Sequence, residues 1–194
     1  KKVAIFSLEM TKEQLVSRML SSEASISSMS LRTGDMTSEE WVRLAMTAQN
    51  LAKAKIYIDD TSGMTVAQMK AKLRRIKDLG LVVIDYLQLM SSGRRNDNRV
   101  VEISEITRNL KIMAKELDVP IITLSQLSRG PEARTDHRPI LADLRESGSI
   151  EQDSDIVLFL YRDAYYNRES EEQNVAECIV CKDGHGESGV VKLA

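Results

Sequence analysis

The sequence predicts an α/β fold, in which a largely parallel, twisted sheet carries helices on both faces and ends in an antiparallel hairpin. Three observations support this fold class. Apolar runs of strand length alternate along the chain with amphipathic stretches of helix length, as in sheets built from strand–helix–strand units. Signals that start helices stand between the runs. Segments 175–181 and 189–193 flank a glycine-rich turn, which is typical of adjacent antiparallel strands.

The strands that precede the hairpin are predicted from short apolar runs. These runs span residues 3–8, 55–59, 81–84, 121–124 and 156–160. Continuous apolar runs of this length are typical of strands that are buried in a parallel sheet.

Three helices are predicted by capping boxes, in which a threonine precedes a glutamate or glutamine by three residues. The threonines are Thr11, Thr37 and Thr65. Apolar residues at helical spacing follow the second and third boxes, namely Trp41, Leu44, Ala45, Ala48 and Leu51, and then Val66, Met69, Leu73 and Ile76. A longer amphipathic helix is marked by Ile103, Ile106, Leu110, Met113 and Leu117.

Length and composition are those of one globular domain, residues 1–194, without an internal linker. The chain is 42% hydrophobic and 29% charged, which excludes a disordered or fibrous protein. Its formal net charge is −2, so a nucleic-acid contact has to come from local loops rather than from an overall basic field. No apolar run approaches the roughly 20 residues of a membrane span. Two cysteines and many methionines favour the cytoplasm.

The two cysteines, Cys178 and Cys181, form a C-x-x-C pattern. They lie in a predicted strand, where residues three apart face opposite sides, whereas a redox pair usually opens a helix. The sequence has no second C-x-x-C, and His185 alone does not complete a zinc site. We therefore expect neither metal nor redox chemistry from this pair.

Polar side chains follow three of the predicted strands. In an open parallel sheet, ligands bind just beyond the carboxyl ends of the strands. Glu9 follows the first run, Asp85 follows the run 81–84, and Gln126 follows the run 121–124. If these strands are neighbours, the three side chains converge on one crevice. A carboxylate after an apolar strand holds Mg²⁺ in nucleotide hydrolases, usually through water. A second carboxylate can polarise the attacking water, and an amide can sense the terminal phosphate.

Aspartates after strands also cap the next helix, and Asp59 and Asp60 illustrate this alternative. A helix is predicted within a few residues of them, so we assign them a capping or turn role. Asp85 follows a more apolar run, and no cap signal comes after it. Asp85 is therefore the preferred residue for magnesium.

Several strings of the sequence resemble successive motifs of the DnaB-type replicative DNA helicases. They are FSLEM at 6–10, LRTG at 31–34, YIDDT at 57–61, VIDYLQL at 83–89, LSQLSR at 124–129 and DLRESGSIEQD at 143–153. The resemblance implies a RecA-like core that assembles into a homo-hexameric ring around one DNA strand, with ATP and Mg²⁺ as cofactors. It implies that Glu9 activates water, that Asp85 holds Mg²⁺, and that Gln126 couples the phosphate to the DNA loops.

By the same resemblance, the complete protein is an ATP-dependent motor that translocates on single-stranded DNA and unwinds duplex DNA, with primase and a helicase loader as partners. Two alternatives remain. The first is another RecA-like ring ATPase, such as a recombinase or a clock-type ring, against which the string at 144–153 argues. The second is a non-catalytic DNA-binding or partner-binding ring component.

The candidate DNA contacts lie in two loops. The string at 143–152 resembles the family's pore loop, in which Arg145, Glu146 and Gly148 would touch the DNA backbone. Arginine supplies charge, and glycine allows a backbone N–H to approach a phosphate, although the same residues also suit an ordinary helix start. A second basic loop, which faces either the channel or only solvent, contains Arg94, Arg95 and Arg99.

Two features depart from the family pattern, and both favour the non-catalytic alternative. The 194 residues contain no G-x-x-x-x-G-K-[S/T] phosphate-binding loop. In the family that loop precedes the strand that ends in Glu9, so we expect it upstream of Lys1 and expect the isolated fragment to be inactive. The family also carries a Lys-x-Arg pair that reaches the neighbouring subunit's nucleotide. Lys182 matches its lysine, whereas Gly184 stands in place of its arginine.

Overall fold

Four apolar runs pair side by side as the parallel strands of one sheet. A computed structural model describes residues 1–93, 98–144, 148–184 and 186–193. The strands are β1 (Lys2–Ser7), β2 (Ile56–Asp59), β3 (Leu79–Asp85) and β4 (Ile121–Thr123). Their order in the sheet is β2-β1-β3-β4, and every pairing is parallel. The predicted strands and their common direction are therefore confirmed.

The last three strands form a separate antiparallel sheet. They are β5 (Ile156–Tyr161), β6 (Ala176–Asp183) and β7 (Gly189–Leu193), in the order β5-β6-β7. The predicted hairpin of β6 and β7 is confirmed, but the antiparallel part is larger than a hairpin because β5 joins it. Buried residues alternate with exposed ones along β5, which is typical of an antiparallel strand with one solvated face.

Three of the connecting helices begin at the predicted capping boxes. Thr11, Thr37 and Thr65 are the N-caps, and each threonine side chain accepts a backbone N–H three residues further on. The helices of the described residues are α1 (Lys12–Ala24), α2 (Ser28–Thr33), α3 (Ser38–Lys53), α4 (Val66–Leu73), α5 (Arg99–Leu117), α6 (Gly130–Ala133), α7 (Gly148–Asp153) and α8 (Asp163–Tyr166). The sequence does not predict the short helices α2, α6 and α8.

Helix α3 buries little of its predicted apolar face. Trp41 is 51% exposed, whereas Thr47 is only 9% exposed. Leu44 and Leu51 are half-buried. Helix α3 packs against α1, and most of its other side chains are exposed.

The chain divides into two compact units. The first comprises Lys1–Ser91 and Ala114–Leu124, and the second comprises Ser92–Met113 and Ser125–Ala194. The first unit contains the parallel sheet, and its buried side chains include Ala4, Phe6, Met69, Leu73, Val82 and Ile84. The second contains the antiparallel sheet, and its buried side chains include Ile103, Ile106, Leu110, Val157 and Phe159. None of the helices within the described ranges has the length and apolar character needed to cross a membrane.

Candidate functional site

Two predicted catalytic carboxylates follow neighbouring strands of the parallel sheet. Strand β1 pairs with β3 so that Ser7 lies opposite Asp85, and the Leu8 N–H donates to the Asp85 carbonyl oxygen at 2.7 Å. Glu9 comes just after β1, and Asp85 is the last residue of β3. The carboxyl ends of parallel strands share one edge of a sheet. The structure therefore brings Glu9 and Asp85 to the same edge.

A buried serine fixes the bend that carries Glu9. Ser7 is 1% exposed, and its hydroxyl donates to the Met10 carbonyl oxygen at 2.7 Å. The Glu9 side chain is exposed and makes no hydrogen bond or ion pair with the other described residues. It therefore has no structural partner there that would prevent it from acting on water. The sequence interpretation missed Ser7, although a serine inside an apolar strand is a visible signal.

Asp85 offers an oxygen ligand that is suited to Mg²⁺. The residue is half-buried, and its peptide bond to Tyr86 is cis. Within the described residues, no group of three or more His, Cys, Asp or Glu side chains could hold a metal ion. A single carboxylate nevertheless fits Mg²⁺ that arrives with a nucleotide, because this ion keeps several waters and takes other ligands from phosphates. The assignment of Asp85 to Mg²⁺ stays a prediction.

Asp59 and Asp60 have structural roles, although Asp60 contacts the start of α1 and the N-cap of α4, the next helix along the chain, is Thr65. Asp60 accepts the backbone N–H of Lys12 at 3.0 Å, in the first turn of α1. Asp59 accepts the N–H of Thr61 at 3.1 Å and forms an ion pair with Lys72. Both carboxylates are thus occupied within the fold, which supports the choice of Asp85 for nucleotide chemistry.

The third predicted catalytic residue, Gln126, belongs to the second unit. Strand β4 ends at Thr123, and the exposed Gln126 follows a few residues later. Its predicted convergence with Glu9 and Asp85 stays a prediction.

The backbone after Gln126 is joined to the start of the predicted pore loop. Leu127 forms an isolated antiparallel bridge with Leu144, and the Ser128 N–H donates to the Asp143 carbonyl oxygen at 2.8 Å. The segment that follows Gln126 is therefore hydrogen-bonded to the segment that precedes Arg145.

Asp143, the first residue of the pore-loop string, is held in place by an ion pair of its buried carboxylate. Asp143 is 3% exposed, pairs with the Arg134 guanidinium, and accepts the Ile140 N–H at 2.8 Å. A Cβ atom at Gly130 would collide with the Asp143 carboxylate, so glycine allows this close packing. The hydrogen bonds from Arg134 hold the pKa of Asp143 below its ordinary value, although burial alone would raise it.

We expect Asp143→Asn to lower the thermal unfolding midpoint at neutral pH by about 3–10 °C, because charge-assisted hydrogen bonds are lost in a domain of this size. The folded-state pKa of Asp143 is lowered. The ionised carboxylate therefore stabilises the fold above its unfolded pKa of about 3.9, and this stabilisation is lost as the pH falls through the folded-state pKa. Thermal unfolding at a series of acidic pH values should show the difference from wild type shrinking below about pH 4.

The matched control for this prediction is Asp35→Asn. Asp35 is exposed and forms no ion pair among the described residues, so its substitution should leave the midpoint unchanged. A midpoint difference for Asp143→Asn that persists undiminished in acid would contradict the ion-pair explanation.

Most predicted DNA-contacting side chains lie outside the described residues, namely Arg94, Arg95, Arg145 and Glu146. Gly148 is described and is the exposed first residue of α7, where an added Cβ atom would meet no heavy atom within 4 Å. A helix does begin at Gly148, as the alternative interpretation expects, and the DNA contact stays a prediction. Arg99, the first residue of α5, forms an ion pair with Glu102.

Helix α7 is tied to α5 by a buried threonine that the sequence interpretation missed. Thr107 is 7% exposed, and its hydroxyl donates to Asp153 Oδ2 at 2.5 Å and to Ser149 Oγ at 3.4 Å. Ile150 anchors the same helix with an exposure of 8%. A polar residue on the apolar stripe of a predicted helix is the signal that marks Thr107.

Lys182, which is predicted to reach a neighbouring subunit's nucleotide, contacts its own chain. Its Nζ donates to the carbonyl oxygens of Glu151 and Ser154 at 2.5 and 2.7 Å. Gly184 follows β6, and its N–H donates to the Asp155 carbonyl oxygen at 3.0 Å. His185 lies outside the described residues. The role of Lys182 at a nucleotide stays a prediction.

Both cysteines lie on β6 as free thiols. Burial raises the pKa of the Cys181 thiol, which disfavours the thiolate form that reacts with disulfides and metals. The expectation that the pair carries no redox chemistry stays a prediction.

Comparison with known proteins places the whole chain in one family. Residues 1–194 match the family model described as the DnaB-like helicase C terminal domain. The replicative DNA helicase DnaC of Bacillus subtilis (strain 168) is 56% identical over 196 residues, which cover 99% of this chain and 43% of that protein. The replicative DNA helicase DnaB of Geobacillus stearothermophilus gives the same identity and the same coverage of both chains, 99% and 43%. This chain therefore spans less than half the length of these relatives.

Solved structures resemble the fold closely. A DnaB-like replicative helicase, studied for its interactions with primase, superposes with a TM-score of 0.95 at 44% identity, covering 100% of this chain and 48% of that one. A second solved structure, of an ATPase domain, also gives a TM-score of 0.95 at 44% identity, covering 100% of this chain and 71% of that one. The fold is thus the RecA-like α/β fold of these domains. With a family model matching its entire length, this chain belongs to the DnaB-like helicase C-terminal domain family.

Proposed function

We propose that the full-length protein is an ATP-driven replicative DNA helicase, which forms a homo-hexameric ring, translocates on single-stranded DNA and unwinds duplex DNA. Residues 1–194 act in it as one motor domain. The observation that carries the proposal is the placement of Glu9 and Asp85 at the ends of adjacent parallel strands, in a chain that matches replicative helicases over its length.

Each candidate catalytic residue has a separate task in this proposal. Glu9 accepts a proton from the attacking water, for which an exposed carboxylate that has no structural partner among the described residues is suited. Asp85 holds Mg²⁺ through water. Gln126 senses the terminal phosphate and acts on the pore loop through the adjacent Leu127 and its bridge to Leu144. ATP and Mg²⁺ supply the phosphoryl group and neutralise its charge when they are bound.

The proposed DNA ligand is single-stranded and is held by its backbone. Arg145, Glu146 and Gly148 form the first set of contacts, and Arg94 and Arg95 form the second. Backbone contacts of this kind carry no sequence preference and weaken with salt. Lys182 acts at the nucleotide of the adjacent subunit.

Primase and a helicase loader are the proposed protein partners. One solved relative was studied for its interactions with primase, and a ring that encloses a DNA strand needs a factor that opens or assembles it there. The proposed site of action is the cytoplasm.

The DNA assignment predicts a specific result for Arg145→Ala in the full-length protein. Affinity for single-stranded DNA should fall about five- to tenfold, equally for all base sequences, and the slope of log affinity against log salt should decrease by about 1. Fluorescence anisotropy with labelled homopolymeric and mixed oligonucleotides at several salt concentrations measures both quantities.

Arg75→Ala is the matched control, because it removes the same charge from an exposed position outside the proposed DNA loops. Its salt slope should equal that of the wild type. If the slope of Arg145→Ala is also unchanged, Arg145 makes no phosphate contact, and the loop with Arg94, Arg95 and Arg99 becomes the DNA-binding candidate.

A non-catalytic ring component is the second candidate function. The observation that favours it is Gly184, since glycine supplies no charge at a position where the family carries an arginine. Measurement of ATP turnover by the full-length protein separates the two candidates.

A further inference from the structure

The end of β6 is hydrogen-bonded to the C-terminal end of helix α7. Lys182 donates to the carbonyl oxygens of Glu151 and Ser154, at 2.5 and 2.7 Å. The Gly184 N–H donates to the Asp155 carbonyl oxygen at 3.0 Å. Carbonyl groups in the last turn of a helix have no amide partner within that helix, and a cation placed there is favoured by the helix dipole. Lys182 therefore stabilises the C-terminal end of α7.

Helix α7 depends on such outside contacts for its position. It has only six residues, and helices of this length are not stable in isolation. Its described attachments in the middle of the helix are Thr107, which bonds Asp153 and Ser149, and the buried Ile150. At the C-terminal end of α7, the Lys182 ammonium donates to two carbonyl oxygens.

A change at one end of α7 also moves the other end. A helix of six residues is only about 9 Å long, so it moves as a single body. Its first residue is Gly148, which is itself a proposed DNA contact and stands two positions after Glu146. The position of Gly148 is thus controlled partly from Lys182.

We infer that Lys182 is a positioning residue for single-stranded DNA binding: its ammonium group holds α7, and through α7 it sets the position of Gly148, a proposed DNA contact. This inference rests on the proposed function, because it presumes that the loop binds DNA. It differs from the nucleotide role of Lys182 in requiring no neighbouring subunit and no nucleotide. Two of the three N–H donors of the ammonium are used by Glu151 in α7 and by Ser154 directly after it, so a phosphate that attracts the same group also acts on α7.

The test compares Lys182→Met and Lys182→Arg with the full-length wild-type protein, in the absence of nucleotide. Lys182→Met should weaken binding to a labelled oligo-dT about five- to tenfold, which corresponds to the loss of charge-assisted hydrogen bonds. Its salt slope should equal that of the wild type, because no phosphate contact is removed. Lys182→Arg keeps donors for the two carbonyl groups and should restore most of the affinity. Backbone amide hydrogen exchange at residues 149–155 should be faster than in the wild type for Lys182→Met and unchanged for Lys182→Arg.

Lys192→Met is the matched control. Lys192 lies on β7 of the same sheet and pairs with Glu172, so its loss should leave DNA affinity unchanged. Should Lys182→Met fail to assemble, Thr107→Val provides the same test, because it releases α7 from its contact with Asp153.

Three results would overturn the inference. The first is a Met variant that binds the oligonucleotide as tightly as wild type and loses only ATP turnover, which would leave Lys182 with a nucleotide role alone. The second is a salt slope lower by about 1, which would make Lys182 itself a phosphate contact. The third is weakened binding without faster exchange in α7. A wild-type protein that binds no single-stranded DNA would instead refute the proposed function.

Discussion

Glu9→Gln in the full-length protein is expected to reduce ATP turnover about 100-fold or more while ATP affinity stays nearly unchanged. A positioned general base contributes roughly 10²–10⁴ to rate, and glutamine has the shape of glutamate without its basicity. Because the base acts on water in the transition state, its removal affects kcat far more than the binding of the ground-state nucleotide. Phosphate release gives the turnover, and titration with a fluorescent ATP analogue gives the affinity.

The structure makes this substitution easy to interpret. Glu9 is exposed and has no ion pair or hydrogen bond among the described residues, while the bend that carries it is fixed by Ser7. The fold should therefore tolerate glutamine at this position. Glu13→Gln, which alters an exposed carboxylate in the first turn of α1, is the matched control and should keep wild-type turnover. Loss of ATP affinity together with turnover would assign Glu9 a structural role, and a wild-type protein without turnover would favour the non-catalytic ring component.

The parts of the fold that the sequence predicts well are those determined by residues close together in the chain. The capping boxes at Thr11, Thr37 and Thr65 are all present, because the two partners in each box are three residues apart. The apolar runs of β1 and β3 likewise predict buried strands of a parallel sheet, but the sequence leaves their adjacency open, and only the structure shows it.

The features that the sequence interpretation missed depend on contacts between distant residues. Strand β5 joins β6 rather than the parallel sheet, and its alternating burial becomes visible only when its neighbours are known. Thr107 is bonded to Asp153, which lies 46 residues further along the chain. The carbonyl partners of Lys182 are 31 and 28 residues before it. No periodicity within one helix or strand encodes such pairs.

Gly184→Arg is expected to raise the turnover number of the full-length ring at least several-fold without tightening ATP binding. An arginine supplied by a neighbouring subunit contributes roughly 10³–10⁵ to phosphoryl-transfer rates, because it neutralises charge that develops on the transferring group. Glycine supplies no charge, and the nearby Lys182 offers a point charge that cannot reproduce a bidentate guanidinium. In this structure Lys182 also binds the carbonyl oxygens of Glu151 and Ser154, which leaves less of its donor capacity for a phosphate.

The backbone at Gly184 accepts a side chain. A Cβ atom there would lie 3.6 Å from the Asp155 carbonyl oxygen, an ordinary contact distance, and the backbone is not in the left-handed region that favours glycine. The effect of arginine on turnover would therefore report its charge rather than a distortion of β6. Gly184→Gln is the matched control, since it adds a polar side chain of moderate length without charge and should leave turnover unchanged.

If Gly184→Arg is no faster than wild type, a substitute cation already occupies the subunit boundary. The two candidates are His185, which lies outside the described residues, and Arg162, whose Nη2 donates to the Gln173 carbonyl oxygen at 2.6 Å. Replacement of each by alanine in the wild-type background then identifies the substitute, because its loss should lower turnover by the large factor that an arginine finger contributes. If Gly184→Arg raises ATP turnover and neither alanine variant lowers it, the wild-type ring has no arginine finger at position 184 and hydrolyses ATP without one.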